Sequence, residues 1–582
     1  MIAAILLSAL GSASVEPSYI DVAKQFGARG DGVTDDTGAI QRALNEYTGK
    51  GRVLYLRAGT YLVSDALAYR KGEGIYGFTH LWGAGPAKTV IRLRDAQWTD
   101  PEHRRALLTL GSHGSADWFH NTVQNLTLDT GKGNPGASGI EFYSNNTGAL
   151  RHVGVRSGDG QGRVGVELGH GDMNGPLLVQ HVRIEGFATG VHAGYTVNSQ
   201  TLEHVQIVGA QVGLKNEGQC LAVRGLQVQA SGPAIQNLGG NSFLTLLESD
   251  LSGKGPIAIE NTGYLMAQNV AVKGYRDAAR AGDGGGNSPL RNFTTHEFGG
   301  MVKTVRVAEP PTVSNQLRAV RVADFGAVPN DGKDDTVAIQ RALNSSAPQV
   351  ILGGGQYNLS QTLTVPITVR RIAGGMASLE FAPAMTEIAQ PCIRMVGKGQ
   401  PLTIDSLSTG YGGGKLWLFQ NDADRTVVLR DLQTNLWFGT YRNTGTGDLF
   451  IENVVGGNWI FTRQRVWARQ FNAENEGTKM VNEGGQLWIL GLKTERGGTL
   501  VKTTGGGQTT VMGGMSYTTT AGKLAPMFVL DRGTLGLSFA ETCYSGDPFA
   551  TFLRAGSRTV LPAALPSRAN GVAVPWFWTA MP

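Results

Sequence analysis

Apolar and polar positions repeat across the chain in two closely matching blocks. Residues 26–45, FGARGDGVTDDTGAIQRALN, and residues 325–344, FGAVPNDGKDDTVAIQRALN, each run from a Gly/Asp turn into a helical period, at an offset of 299 residues. Ala39, Ile40, Ala43 and Leu44 make one apolar stripe, and Ala338, Ile339, Ala342 and Leu343 repeat it. Asp36 and Asp335 stand at the predicted N-caps, where a side-chain oxygen can take free backbone N–H groups. A strand and then a tyrosine follow each helix, at RVLYLRAGTYLVS (52–64) and QVILGGGQYNLS (349–360). A duplicated unit of this kind predicts two related domains in tandem. They are placed at 15–299 and 319–582, with 300–318 as a linker.

Beyond each block the period changes from helical to strand-like. VQNLTLD, LRHVGVR, VQHVRIE, LEHVQIV and VRGLQVQ share the pattern x-x-[NHG]-[LV]-x-[LVI], and align Leu126, Val153, Val182, Val205 and Leu226 at spacings of 27, 29, 23 and 21. RDLQT, ENVVG, RQFNA, LGLKT and GGMSY do the same for Leu432, Val454, Phe471, Leu492 and Met515. Alternation within each segment predicts one buried face and one wet face. Repeats in the low twenties fit the coils of a parallel β-helix, an all-β fold, while the leucine-rich-repeat motif of similar period is absent. Residues 275–318, rich in Gly and Pro, read as a crossing segment. The last thirty residues, with Pro562, Pro566 and Pro575, read as an irregular tail packed outside.

Composition narrows the classes. Glycine is 83 of 582 residues, which many tight turns would require. The net charge of +5 comes without a basic, aromatic-interleaved stripe, so nucleic acid is not an expected partner. Cys220, Cys392 and Cys543 are sparse and odd in number, which excludes a disulfide scaffold and a zinc site. No His/Cys/Asp cluster has ligand spacing, so neither a catalytic metal nor a cofactor is expected. MIAAILLSALGSAS resembles a signal peptide ending near residue 14 and is too short to span a bilayer. Secretion or a periplasmic location, no membrane partner and a monomeric state are the corresponding expectations.

The second ladder also serves as a ruler. Three positions beyond each aligned apolar residue come Asn435, Gly457, Glu474, Glu495 and Thr518. Glu474 and Glu495 should therefore stand on adjacent rungs in one outward column, with backbones ~4.8 Å apart. Two carboxyls so close resist double ionisation, which would keep one protonated for glycosidic bond cleavage. Trp437 and Trp459 fall on adjacent rungs nearby and would offer stacking platforms for sugar rings.

The duplicated block resembles the N-terminal cap of the pectate-lyase-like right-handed β-helix proteins, in which the amphipathic helix plugs the end of the coil. VWARQFNAE (466–474) and WILGLKTE (488–495) resemble strand motifs of glycoside hydrolase family 55, exo-acting β-1,3-glucanases of two tandem right-handed β-helices. The resemblance implies Glu495 as the general acid, Glu474 in a supporting role, and inversion at the anomeric carbon. It implies an attacking water held from the first β-helix, with Gln219, Gln200 and Ser242 as candidates; Cys220 departs from a pattern that expects a polar residue there. A polysaccharide or oligosaccharide is the implied partner. Carboxyls ~5 Å apart suit a retaining pair and ~6.5–9.5 Å an inverting one, so Glu474 would not be the nucleophile under that assignment, and the base stays unassigned. Polygalacturonase is disfavoured because its Asn-Thr-Asp, Asp-Asp and Arg-x-Lys elements are missing, and His170 reads as a turn residue. A polysaccharide lyase and a non-catalytic carbohydrate-binding or tailspike-like β-helix are the alternatives.

Overall fold

The apolar stripe of each capping helix closes the end of a coil. A computed structural model describes residues 19–582 apart from 70–76, 112–117, 170–172, 196, 280–289, 296, 299–306, 314–316, 411–413, 436–437 and 523. The proposed signal peptide, Trp437, His170 and much of 300–318 lie outside the described residues. Helices Thr37–Tyr47 and Thr336–Leu343 bury the four stripe residues of each block. Their N-caps are Asp36 and Asp335, but neither side chain caps its helix. Asp36 instead accepts from the Arg29 and Gly30 N–H groups, and Asp335 from Val328 and Asn358. The capping bonds come from the preceding carboxylates, Asp35 to Thr37 and Asp334 to Thr336. The doubled aspartate thus splits two tasks: one holds the helix start and the other fastens the glycine turn.

Behind each cap the chain winds as a right-handed parallel β-helix, giving two stacks of parallel sheet. Observed pairings reproduce the first ladder: Val153 lies beside Leu126, and the strands carrying Val182, Val205 and Leu226 follow at the same spacings. In the second, Leu432, Val454, Phe471 and Leu492 are successive neighbours, but Lys493 rather than Leu492 sits beside Met515. The reason lies one residue earlier. Each aligned position follows a residue of positive φ: Asn125, His152, His181 and His204 in the first stack, Asp431, Asn453 and Gln470 in the second. In GGMSY that residue is Gly513, at φ 74°, so Gly514 occupies the aligned position and Met515 lies one further on. Asn, Asp and Gly tolerate this left-handed bend, which explains the recurring polar residue of the motif.

Each stack ends where an antiparallel strand covers the last rung. Tyr264–Ala279 pairs with Leu290–Thr294, and Phe528–Cys543 pairs with Gly571–Met581. That last strand corrects the expectation of an irregular tail, since GVAVPWFWTAM is largely buried and Trp576 is 2% exposed. Proline at 575 falls at the register shift between the Leu537–Phe577 and Phe539–Val574 pairs, a bulge where its missing N–H breaks no regular ladder bond.

The predicted wet face needs a second correction. Ser199–Glu203, Cys220–Arg224, Phe243–Leu247 and Leu449–Gly456 are buried on both faces. Their outward sides meet, one β-helix against the other, with the facing strands running in opposite directions. Contacts recur rung by rung: Arg151 to Asp431 at 2.5 Å, Gln180 to Glu452 at 3.1 Å, Thr201 to Gln470 at 2.8 Å and Thr245 to Ser538 at 2.6 Å. Cys220 belongs to this seam, its Sγ 3.8 Å from the Gly514 carbonyl oxygen, so an apolar thiol suits a position where a polar residue was expected. At Gly491, φ is 72° and a Cβ would fall 1.8 Å from Thr201 Oγ1. Gly491→Ala should cost about 1–2 kcal/mol from the left-handed backbone alone, and more from the clash. A denaturant midpoint equal to wild type would show that the helices do not seat here.

Candidate active site

The column containing Glu474 and Glu495 emerges at the carboxyl-terminal edge of this seam. Arg465–Ala473 and Gln486–Glu495 are parallel neighbours, with Asn472 beside Lys493 and Ala473 beside Thr494. Leu492 and Thr494 point into the coil, while Lys493 and Glu495 point outward. The next rung places Tyr517 beside Glu495, where the ladder had expected Thr518; Thr518 pairs with Cys543 instead.

The acids are not in bare repulsion. Lys493 Nζ donates to Glu474 Oε1 at 2.5 Å and to Glu495 Oε2 at 2.8 Å, and its side chain is 4% exposed. Asn472 Nδ2 donates to the same Glu474 oxygen at 2.8 Å and to Asn146 Oδ1 of the first β-helix at 2.7 Å. Burial pushes the Glu474 pKa upward, but Lys493 and Asn472 outweigh it and hold the carboxyl below its ordinary value. Burial likewise disfavours the Lys493 ammonium, and the two carboxylates more than restore it, raising its pKa. The expected like-charge pair is therefore bridged by the Lys493 ammonium, which contacts both side chains. Sequence reasoning missed Lys493 although it lies inside the LGLKTE motif, because the ladder followed the acids three positions on and not the residue between.

Within this Glu474–Lys493–Glu495 chain Glu495 is the accessible end. Its side chain is 27% exposed, against 11% for Glu474. Tyr517 and the exposed Tyr544 lie beside it with ring centroids 5.2 Å apart, and Lys493 Nζ is 5.7 Å from the Tyr517 ring centre. Across the seam, Val197 and Met173 pack with Tyr517 and Met515 in one apolar cluster. Lys479 lies under the column, donating to the carbonyls of Asn475 and Gly497. Its burial depresses the ammonium to a pKa of about 7.

The other described sequence candidates, Trp459, Gln219, Gln200 and Ser242, are all buried. Trp459 is fully buried, edge-on to Phe471 at 4.7 Å, and is a core residue of the second coil, because it occupies an inward position. Gln219 is buried, donates to the Gly194 carbonyl at 3.3 Å and accepts from the Cys220 N–H at 2.9 Å. Gln200 Nε2 donates to the carbonyls of Leu168 and Asn174. Ser242 accepts from the Gly218 N–H at 2.7 Å. All three fasten turns at the amino-terminal ends of the first-helix strands, which form the opposite wall. Among the described residues, Glu203, His204 and Glu309 have metal-ligand spacing, but Arg224 and Arg469 already occupy their carboxylates.

Residues 19–255 match the family model described as rhamnogalacturonase A/epimerase, pectate lyase-like. Mannuronan C5-epimerase AlgE2 of Azotobacter vinelandii is 47% identical over 74 residues, 12% of this chain and 7% of the relative. Alginate lyase 7 of the same organism is 33% identical over 123 residues, 21% of this chain and 14% of the relative. A glucan 1,3-beta-glucosidase of Cochliobolus carbonum is 29% identical over 147 residues, 24% of this chain and 17% of the relative. The chain thus spans a small part of each relative's length. Among solved structures, sacteLam55A of Streptomyces sp. SirexAA-E covers 95% of this chain and 98% of its own, at 10% identity and a TM-score of 0.40.

Proposed function

We propose that this protein is a glycan hydrolase of the inverting, β-1,3-glucanase-like kind, with Glu495 as the general acid. The observation that carries the reading is the Glu474–Lys493–Glu495 chain at the seam edge, with Glu495 as its solvent-reached end. Cleavage needs a carboxyl able to hand a proton to the departing oxygen while positive charge develops on the sugar ring. Glu495 has the access for that transfer, and the exposed Tyr544, packed on the buried Tyr517, offers a ring face near it. Glu474 is a positioning residue: its Oε1 takes both Lys493 and Asn472, so it fixes the ammonium that in turn fixes Glu495. The amide of Asn146, brought in by Asn472 from the first β-helix, supplies polar groups on the far side of the edge, where an attacking water would be held. The similarity to a glucan 1,3-beta-glucosidase supports the same reading.

The epimerase and lyase relatives favour a competing chemistry on uronates, and one screen separates the two. Incubation with β-1,3-glucan should release reducing sugar with an initially inverted anomer by NMR. Release of unsaturated uronate from alginate or pectin, without glucan cleavage, would replace hydrolysis with elimination.

A further inference from the structure

We propose that a second groove, at the opposite end of the same outward face, binds a neutral glycan chain without cleaving it. The groove has a volume of about 980 Å³ and lies beside residues 307–309 and the final strand. It opens at the amino-terminal ends of Arg465–Ala473 and Gln486–Glu495, whereas Glu474 and Glu495 stand at their carboxyl-terminal ends. At ~3.3 Å per residue the two places are at most roughly 30 Å apart.

Two aligned rows build it. The outer row is polar: Arg465, Gln486, Gln508 and Thr534 are neighbours on four successive rungs. Asp448 extends that row and takes Arg465 through two bonds, at 2.8 and 2.9 Å. The inner row runs Trp467, Trp488, Thr510, Gly536 and Trp578. Trp488 and Trp467 are both buried, Trp467 stacked on Phe450 at 5.1 Å, so the groove meets only a small part of Trp467 and chiefly the half-buried Trp578, with a floor of Thr510 and Gly536 between them. Large indoles thus flank a dip made by the two smallest side chains of the row.

The chemistry selects the ligand class. The indole face of Trp578 can stack on a flat C–H surface, and the amide, hydroxyl and guanidinium edges beside it match a ring of hydroxyls. The charges of the groove are satisfied internally. Asp448 is paired with Arg465, and Glu309 is committed to Arg224 and Arg469. Among the described lining residues no uncompensated charge is left to favour an acidic polymer, which distinguishes this surface from what a uronate chain would need. Its glycan context rests on the proposed function, but the recognition argument does not use Glu495.

Affinity electrophoresis in gels containing laminarin, hydroxyethyl cellulose or polygalacturonate tests it. Wild-type protein should be retarded by at least one neutral polymer. Trp578→Ala, and separately the exposed double variant Arg465→Ala/Gln508→Ala, should each weaken retardation about tenfold, the loss of one well-placed contact group. Both should still turn over short soluble oligosaccharides at the wild-type rate, and Glu495→Gln should remain retarded. Retention by polygalacturonate alone, equal retardation of the groove variants, or no retention by any gel overturns the groove. Unchanged turnover in Glu495→Gln together with lost retardation in the groove variants would sink the catalytic reading and leave the groove standing.

Discussion

Glu495→Gln should lower turnover of an unactivated glucan by about 10²–10⁴-fold, the range typical of removing a general acid. The amide keeps the shape and can still accept from Lys493, so the fold and the binding constant should change little. An aryl glycoside with a good phenolate leaving group needs little protonation, and its cleavage should be partly restored. The neighbours make the test sharper, because two of them should move the pH–rate profile in opposite directions. Glu474→Gln removes a negative charge and leaves Lys493 acting on Glu495 alone, which disfavours the protonated acid and shifts the basic limb downward. Lys493→Met removes the cation and leaves two carboxyls together, which favours a retained proton and shifts that limb upward. Shifts in the same direction would mean that Lys493 does not mediate between the acids. Near wild-type turnover of β-1,3-glucan by Glu495→Gln would remove this residue from the chemistry.

Glu203→Leu should destabilise the protein by about 3–5 kcal/mol, the cost of stranding buried charges. Glu203 is fully buried between the two β-helices and accepts from Arg224 at 2.8 Å, Arg469 at 3.1 Å and Gln180 at 3.0 Å. Arg469 is itself fully buried, and Glu309 and the Ala308 carbonyl would be left as its named partners. A double variant adding Arg469→Met should recover part of the loss, since a matched apolar pair desolvates no ion. Urea unfolding of the two variants measures this, and a wild-type midpoint for Glu203→Leu would contradict it. The same network predicts acid sensitivity. Burial would raise the Glu452 pKa, but Arg430, Arg151 and Arg469 more than offset it and hold the carboxyl at about 2. A depressed acid contributes fully above its unfolded pKa near 4.5 and loses that contribution as pH falls toward 2. Stability should therefore decline across that window, and less steeply in Glu452→Gln.

The capping helices, the ladder and its spacings were legible because each depends on local rules: period, cap residues and left-handed bends. The column of Glu474 and Glu495 was legible for the same reason, being a matter of counting from Phe471 and Leu492. What lay beyond counting was contact between the two coils. Alternation in segments such as LEHVQIV predicted a wet face, and nothing in the spacing says that this face will be covered. Trp459 failed because counting carried one register across a turn, after which an inward position was taken for an outward one. Lys493 was visible in the motif, but its double attachment depends on how far a flexible stem reaches, which spacing does not encode. The shift at Met515 arose from two adjacent glycines, either of which could take the left-handed bend.

That file of left-handed residues also separates length from alignment. Coil lengths between its members range from 17 to 29 residues, yet each bend restores the same phase before the next outward strand begins. Extra residues accumulate in the turns, away from the seam, and the strands that carry Lys493 and Glu495 meet their neighbours regardless. A fold of this kind can remodel its rims by insertion while the edge that carries Glu474 and Glu495 stays fixed, so variation among its relatives should concentrate in how the rims shape access to that edge.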